Sequence, residues 1–154
     1  MSKVENATIH NDLGESVARD QLIHWGAPDG SLRRFLPTSL TWTVDGEPMC
    51  ISMRASLNVW VLPDDSGLIC FEGERSKDNC YVLDAYGSER CRLRVPWELT
   101  PYDVPSTAKM WFRNIGVHPD GEFGVTAWIE YAGDFYFELD YREGRFLWGK
   151  EIRF

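Results

Sequence analysis

The chain has 154 residues, of which 44% are apolar and 14% aromatic, far more than a disordered chain carries and enough for a core that needs no covalent staples. A formal charge of −8 and a pI near 4.8 argue against a nucleic-acid partner, whose phosphates require a basic surface. No apolar run has the length of a bilayer span, and the polar opening Met1-Ser2-Lys3-Val4-Glu5 lacks a hydrophobic signal centre, so the expectation is a cytoplasmic protein with no membrane partner.

Residues 1 to about 38 are polar and end in Gly26-Ala27-Pro28-Asp29-Gly30. Only Ser16 to Trp25 has a helical stripe, made by Val17, Leu22 and Ile23. The expected organisation is a single domain, in which an N-terminal arm or short helix (1–38) packs on an antiparallel β domain (39–154).

From Leu40 onward apolar and polar residues alternate between turn residues, the pattern of half-buried antiparallel strands. A two-residue Asp45-Gly46 turn sets Trp42 opposite Met49 and Leu40 opposite Ile51, with the apolar faces in agreement. The next pair, Leu57 to Leu62 and Leu68 to Glu72, is joined through Pro63-Asp64-Asp65-Ser66-Gly67. The stretch from Pro96 to Pro105 holds three prolines and reads as a crossover loop.

Two stretches follow one plan. Val61-Leu62-Pro63-Asp64-Asp65 and Val117-His118-Pro119-Asp120-Gly121 each lead into a strand, then a Tyr-containing strand ending in Asp84 or Asp140, a turn with Gly87 or Gly144, and a strand from Arg90 or Arg145. The plan resembles the strand and turn chemistry of propeller blades, but two copies cannot close a propeller, so it implies local meanders only. The recurring aspartates fit Asx-type turn capping better than calcium ligation, because no D-x-D-x-D-G loop is present.

In the last third, a three-residue Ala132-Gly133-Asp134 loop predicts Tyr131 facing Phe135, Ile129 facing Phe137 and Ala127 facing Leu139. A four-residue loop at 141–144 then predicts Asp140 with Arg145, Leu139 with Phe146 and Phe137 with Trp148. The predicted fold class is all-β, about nine or ten strands in an antiparallel meander forming a twisted sheet, open barrel or sandwich, with the short helix or arm at its side.

Between Asn114 and Tyr141 there are six carboxylates and no Lys or Arg. The predicted outer face sets Glu130 beside Tyr136, Trp128 beside Glu138 and Thr126 beside Asp140. Glu122, Trp128, Glu130, Asp134, Tyr136, Glu138 and Asp140 are therefore candidate partner-binding residues, aromatic anchors among acids suited to a basic protein. The competing expectation is a second packed layer over Trp128 and Tyr136. Arg90, Arg92 and Arg94 share one face of a strand and are expected to be solvated or to pair with acids on a neighbouring strand.

Catalytic chemistry has little to stand on. His10, His24 and His118 are far apart, with His118 expected to be solvated on its turn, and no nucleophile elbow, phosphate loop, dinucleotide fingerprint or zinc motif occurs. No metal or cofactor is predicted. Cys50, Cys70, Cys80 and Cys91 lie in strand-like patterns without zinc spacing and are expected as mostly buried free thiols. The class that fits best is a non-enzymatic acidic binding protein of the immunity or inhibitor type, which occludes a basic toxin or enzyme. The alternatives are a β-barrel carrier of a small ligand and an enzyme with a site assembled from distant residues.

Overall fold

A computed structural model of the chain describes residues 2–54 and 56–152. It is all-β. Among the described residues twelve strands run in chain order: β1 (Glu5–Asn11), β2 (Ser16–Ala18), β3 (Pro37–Val44), β4 (Glu47–Ser52), β5 (Asn58–Val61), β6 (Gly67–Phe71), β7 (Cys80–Asp84), β8 (Glu89–Leu93), β9 (Met110–Gly116), β10 (Gly124–Ile129), β11 (Gly133–Asp140) and β12 (Arg145–Glu151). They form three open four-stranded antiparallel sheets, ordered β2-β1-β3-β4, β5-β6-β7-β8 and β12-β11-β10-β9. The two repeated stretches supply β6-β7-β8 and β10-β11-β12, so each becomes the expected meander. Among the described residues no helix is long and apolar enough to cross a membrane.

The chain divides into two compact units, Met1–Ile69 with Leu83–Ser88, and Cys70–Val82 with Glu89–Phe154. In the first, β1 is hydrogen-bonded between β2 and β3, so the polar N-terminal stretch contributes strands to a sheet where an arm or helix was expected. Of Ser16 to Trp25, Ser16–Ala18 pairs as β2 and only Arg19–His24 coils, as a 3-10 helix. The apolar stripe there is too thin to hold an α-helix against a core: Ile23 is 86% exposed.

The β3–β4 hairpin has the predicted register, Trp42 with Met49 and Leu40 with Ile51. Asp45 and Gly46 both take positive φ, 51° and 81°, the type I′ geometry whose twist matches that of the strands. Leu40, Trp42 and Val44 are buried in alternation, and the Trp42 indole N–H donates to the Ala85 carbonyl at 2.7 Å.

In the second unit the core face of β9 to β12 is filled by Met110, Phe112, Val125, Ala127, Ile129, Phe135, Phe137 and Leu139, none more than 3% exposed. Buried Asn79 ties this sheet to the loop before β7. Its amide accepts from the Phe112 N–H at 2.8 Å and donates to the Phe112 carbonyl at 2.9 Å, standing in for a strand partner. Two of the three arginines are partly exposed and paired, but not with acids on a neighbouring strand: Arg92 with Glu89 of its own strand at 3.0 Å and with Glu72 at 3.6 Å, and Arg94 with Glu98 of the following 3-10 helix at 2.7 Å. Asx capping is present as well, Asp84 accepting from the Tyr86 and Ser88 N–H groups and Asp140 from that of Glu143.

Cys70 and Cys80 are buried and Cys91 is half-buried, but Cys50 is exposed on β4, an edge strand that buries only part of its surface.

Candidate functional site

The candidate face lies on the sheet β12-β11-β10-β9, opposite the phenylalanine core. Its register differs from the predicted one. Ala127 pairs with Phe135, Thr126 with Tyr136 and Trp128 with Asp134, so β11 is displaced by four positions and the connecting loop is Glu130-Tyr131-Ala132. Gly133 is the reason: its φ of 94° sits at the start of the strand, while Tyr131 takes the left-handed position of the turn at 72°. Because four is even, every side chain keeps its predicted face.

The β11–β12 pairing follows prediction for Asp140 with Arg145 and Leu139 with Phe146, then breaks at a bulge between Glu138 and Leu139. Beyond it Trp148 pairs with Glu138 and Gly149 with Phe137, correcting the expected Phe137–Trp148 pair. The extra residue turns Trp148 onto the outer face. A Cβ on Gly149 would lie 2.6 Å from the Phe137 ring, so the ring packs directly on glycine backbone.

One end of the outer face is closed over itself. Tyr136 is 1% exposed, and a Cβ on Gly116, Gly121 or Gly124 would collide with its ring, which therefore lies directly on the backbone of these three positions. His118 stacks on it at 5.3 Å and Trp148 leans on it at 5.5 Å, His118 and Trp148 meeting edge-on at 5.3 Å. The Tyr136 hydroxyl donates to Glu138 Oε1 at 2.6 Å, and Glu138 Oε2 accepts from the Glu122 N–H at 2.9 Å. Burial, reinforced by the adjacent carboxylate, holds the Tyr136 hydroxyl well above the ordinary phenol range and keeps it a donor. Tyr136 and Glu138, expected to face a partner, are thus internal to the unit, because the loop from Gly116 to Phe123 folds back over them.

The other end is open. Trp128 and Trp111 are half-buried, opposite each other on β10 and β9, with centroids 4.7 Å apart and planes at 35°. The Arg75 guanidinium lies 4.9 Å over Trp111. Asp134 accepts from Arg113 Nη1 at 2.9 Å, with the arginine 55% exposed. Glu130 sits in the turn, accepting from the Lys109 N–H at 3.2 Å. Beside Trp111 opens a cleft of about 520 Å³ lined by Arg75, Lys77 and Lys109.

Of the candidate residues, the fold therefore brings Trp128, Glu130 and Asp134 to this end, and buries Tyr136 and Glu138 at the other. It leaves Glu122 exposed on a loop and Asp140 capping the next turn. Sequence reasoning missed Trp111, His118, Trp148, Arg75 and Arg113. The alternation of β9 places Trp111 and Arg113 on the face opposite Phe112 and could have found both; Trp148 reaches the face through a bulge, and His118 and Arg75 from loops. The face is consequently of mixed charge, not purely acidic. Among the described residues no group of three or more His, Cys, Asp or Glu side chains could hold a metal ion.

No protein-family model matches the chain. No curated protein matches it either. Among solved structures it is similar to a chain of the structure of Tne2 in complex with Tni2, with a TM-score of 0.71 at 13% identity, over 97% of this chain and 99% of that one. The likeness is one of fold, extending over nearly the whole of both chains.

Proposed function

We propose that the chain is a non-enzymatic binding protein of the inhibitor or immunity type, which takes a protein partner on the open Trp111–Trp128 end of its second unit. The observation that carries this reading is the tryptophan pair itself. Two large rings stand half-exposed on a rigid sheet, packed on each other and framed by Arg75 above Trp111 and by the Arg113–Asp134 pair. Tryptophan and arginine at a preorganised, partly desolvated centre are what interface hot spots are made of. The fold likeness to a chain solved in a two-protein complex supports the same class.

The partner this reading favours is basic. A net charge of −8 attracts a cationic protein at long range, while the tryptophan pair governs how long it stays. Asp120 and Glu122, exposed on the loop beside the face, are the acids free to steer without disturbing the fold.

The experiment is binding kinetics against the product of the adjacent gene. Trp128→Ala is expected to raise the dissociation rate, costing about 2 kcal/mol or more. Asp120→Lys with Glu122→Lys is expected to slow association, most strongly at low salt. A partner that binds wild type and Trp128→Ala with the same dissociation rate would remove this face from the proposal.

A further inference from the structure

The first unit holds a cleft built around the most deeply buried cation of the described residues. Arg19 opens the 3-10 helix Arg19–His24 and is only 9% exposed. Its guanidinium carbon lies 3.7 Å from the centre of the Trp60 ring, and its Nε donates to the Val59 carbonyl at 2.9 Å. Among the described residues Arg33, Arg92, Arg94 and Arg113 each hold a carboxylate, whereas Arg19, the most buried, forms no ion pair. Removing a charge from water without a counter-charge is costly. Burial accordingly lowers the Arg19 pKa to about 10, still leaving it cationic near neutrality.

The Trp60 ring and the Nε bond hold the guanidinium, and among the described residues nothing takes its terminal nitrogens. No buried side-chain nitrogen or oxygen among the described residues lacks a partner, so these nitrogens open on the cleft that Arg19 lines. That cleft has a volume of about 680 Å³ and is also bordered by Asn6, Trp60, Glu5, Asp20 and Asp65. The three acids are exposed. Asn6 and Asp65 hold positive φ, 56° and 60°, and the β1–β3 ladder is broken between Glu5 and Thr8. Left-handed residues and a bulge at the mouth of a cleft are where backbone irregularity gathers around ligands.

A fixed guanidinium edge takes a carboxylate or phosphate through two parallel hydrogen bonds. The rim selects between them, since three carboxylates around one cation repel a phosphate dianion and attract an ammonium or guanidinium. We infer that this cleft binds a small ligand carrying one carboxylate and at least one cationic group, a basic amino acid or its short peptide, with the carboxylate on Arg19, the aliphatic chain along Trp60 and the cation among Glu5, Asp20 and Asp65.

The test is a titration followed by the arginine Nε–H and tryptophan indole N–H resonances, using L-arginine, agmatine, which lacks the carboxylate, and inorganic phosphate. L-Arginine is expected to move the Arg19 and Trp60 signals saturably at up to millimolar concentration, with agmatine and phosphate each roughly tenfold or more weaker. Arg19→Lys keeps the charge and loses the fork, and is expected to weaken L-arginine by roughly tenfold while a melting curve verifies the fold. Asp20→Asn, a near-isosteric change at an exposed position, is expected to weaken L-arginine and to favour phosphate relative to it. Agmatine binding as tightly as L-arginine, an Arg19→Lys variant that binds L-arginine unchanged, or no saturable shift with L-arginine would each overturn the proposal.

Discussion

Tyr136 and Glu138, two residues apart on β11 and so on the same face, are joined by a 2.6 Å hydrogen bond from hydroxyl to carboxylate, with both side chains buried. A charged acceptor inside the unit needs its donors, and Glu138 has two, the Tyr136 hydroxyl and the Glu122 N–H. Tyr136→Phe is expected to keep the ring packing and remove one donor, destabilising by about 1.5–3 kcal/mol, the range for hydrogen bonds to charged groups. Glu138→Gln, which keeps an acceptor oxygen, is expected to cost less. Denaturant melts of the two variants check the order, and a Tyr136→Phe midpoint equal to wild type would mean that the bond contributes nothing.

Phe137 is fully buried, stacks with Phe135 at 5.8 Å and meets Phe146 edge-on at 5.9 Å. Phe137→Ala is expected to destabilise by roughly 3–5 kcal/mol. Gly149→Ala pushes a methyl into the Phe137 ring and is expected to cost roughly 1–3 kcal/mol. In the double variant Gly149→Ala with Phe137→Leu the penalties are expected to be less than additive, since the smaller side chain yields the space. Strict additivity would show that the ring and the glycine do not meet.

The thiols are expected to separate by burial. Burial pushes the Cys70 thiol up to about 12 and that of Cys80 well above its ordinary value, and only the thiolate reacts. A thiol reagent at pH 8 is expected to modify exposed Cys50 first, Cys91 more slowly, and Cys70 and Cys80 only on unfolding. Rapid loss of three or more thiols from the native protein would contradict the packing of β6 and β7.

Glu15 accepts from both terminal nitrogens of Arg33 at 2.7 Å, and from Asn11 at 2.9 Å. The Arg33 hydrogen bonds, followed by that of Asn11, hold its carboxyl down to about 2 from an ordinary 4.5. A carboxyl whose folded pKa is depressed stabilises the protein fully above its unfolded value, and loses that contribution as pH falls from about 4.5 towards 2. The contribution is small because the pair is solvent-screened. Carboxyl-carbon NMR is expected to show Glu15 titrating near 2 in wild type and returning towards 4.5 in Arg33→Gln. A wild-type midpoint already near 4.5 would mean that the pair does not form in solution.

Alternation and turn chemistry alone determined the all-β class, the two meanders, the β3–β4 register and the outer face of Trp128, because period-2 patterning encodes which side of a sheet a residue occupies. It does not encode offset. A displacement by four positions preserves every face, so the β10–β11 register was decided only where Gly133 found its positive φ and Phe135 its place opposite Ala127. The bulge that turns Trp148 outward and the loop that buries Tyr136 and Glu138 leave no mark in the alternation, and the arrival of Arg75 beside the tryptophan pair depends on a segment distant in sequence, as does the amide of Asn79 acting as a strand partner for Phe112. The acidity of residues 114–141 was legible, but charge on a folded surface is set by whatever the neighbouring strands and loops bring to it. Tertiary structure alone decided that the open end of the face carries tryptophan with both signs of charge, and that Arg19 of the polar N-terminal stretch lies buried against Trp60.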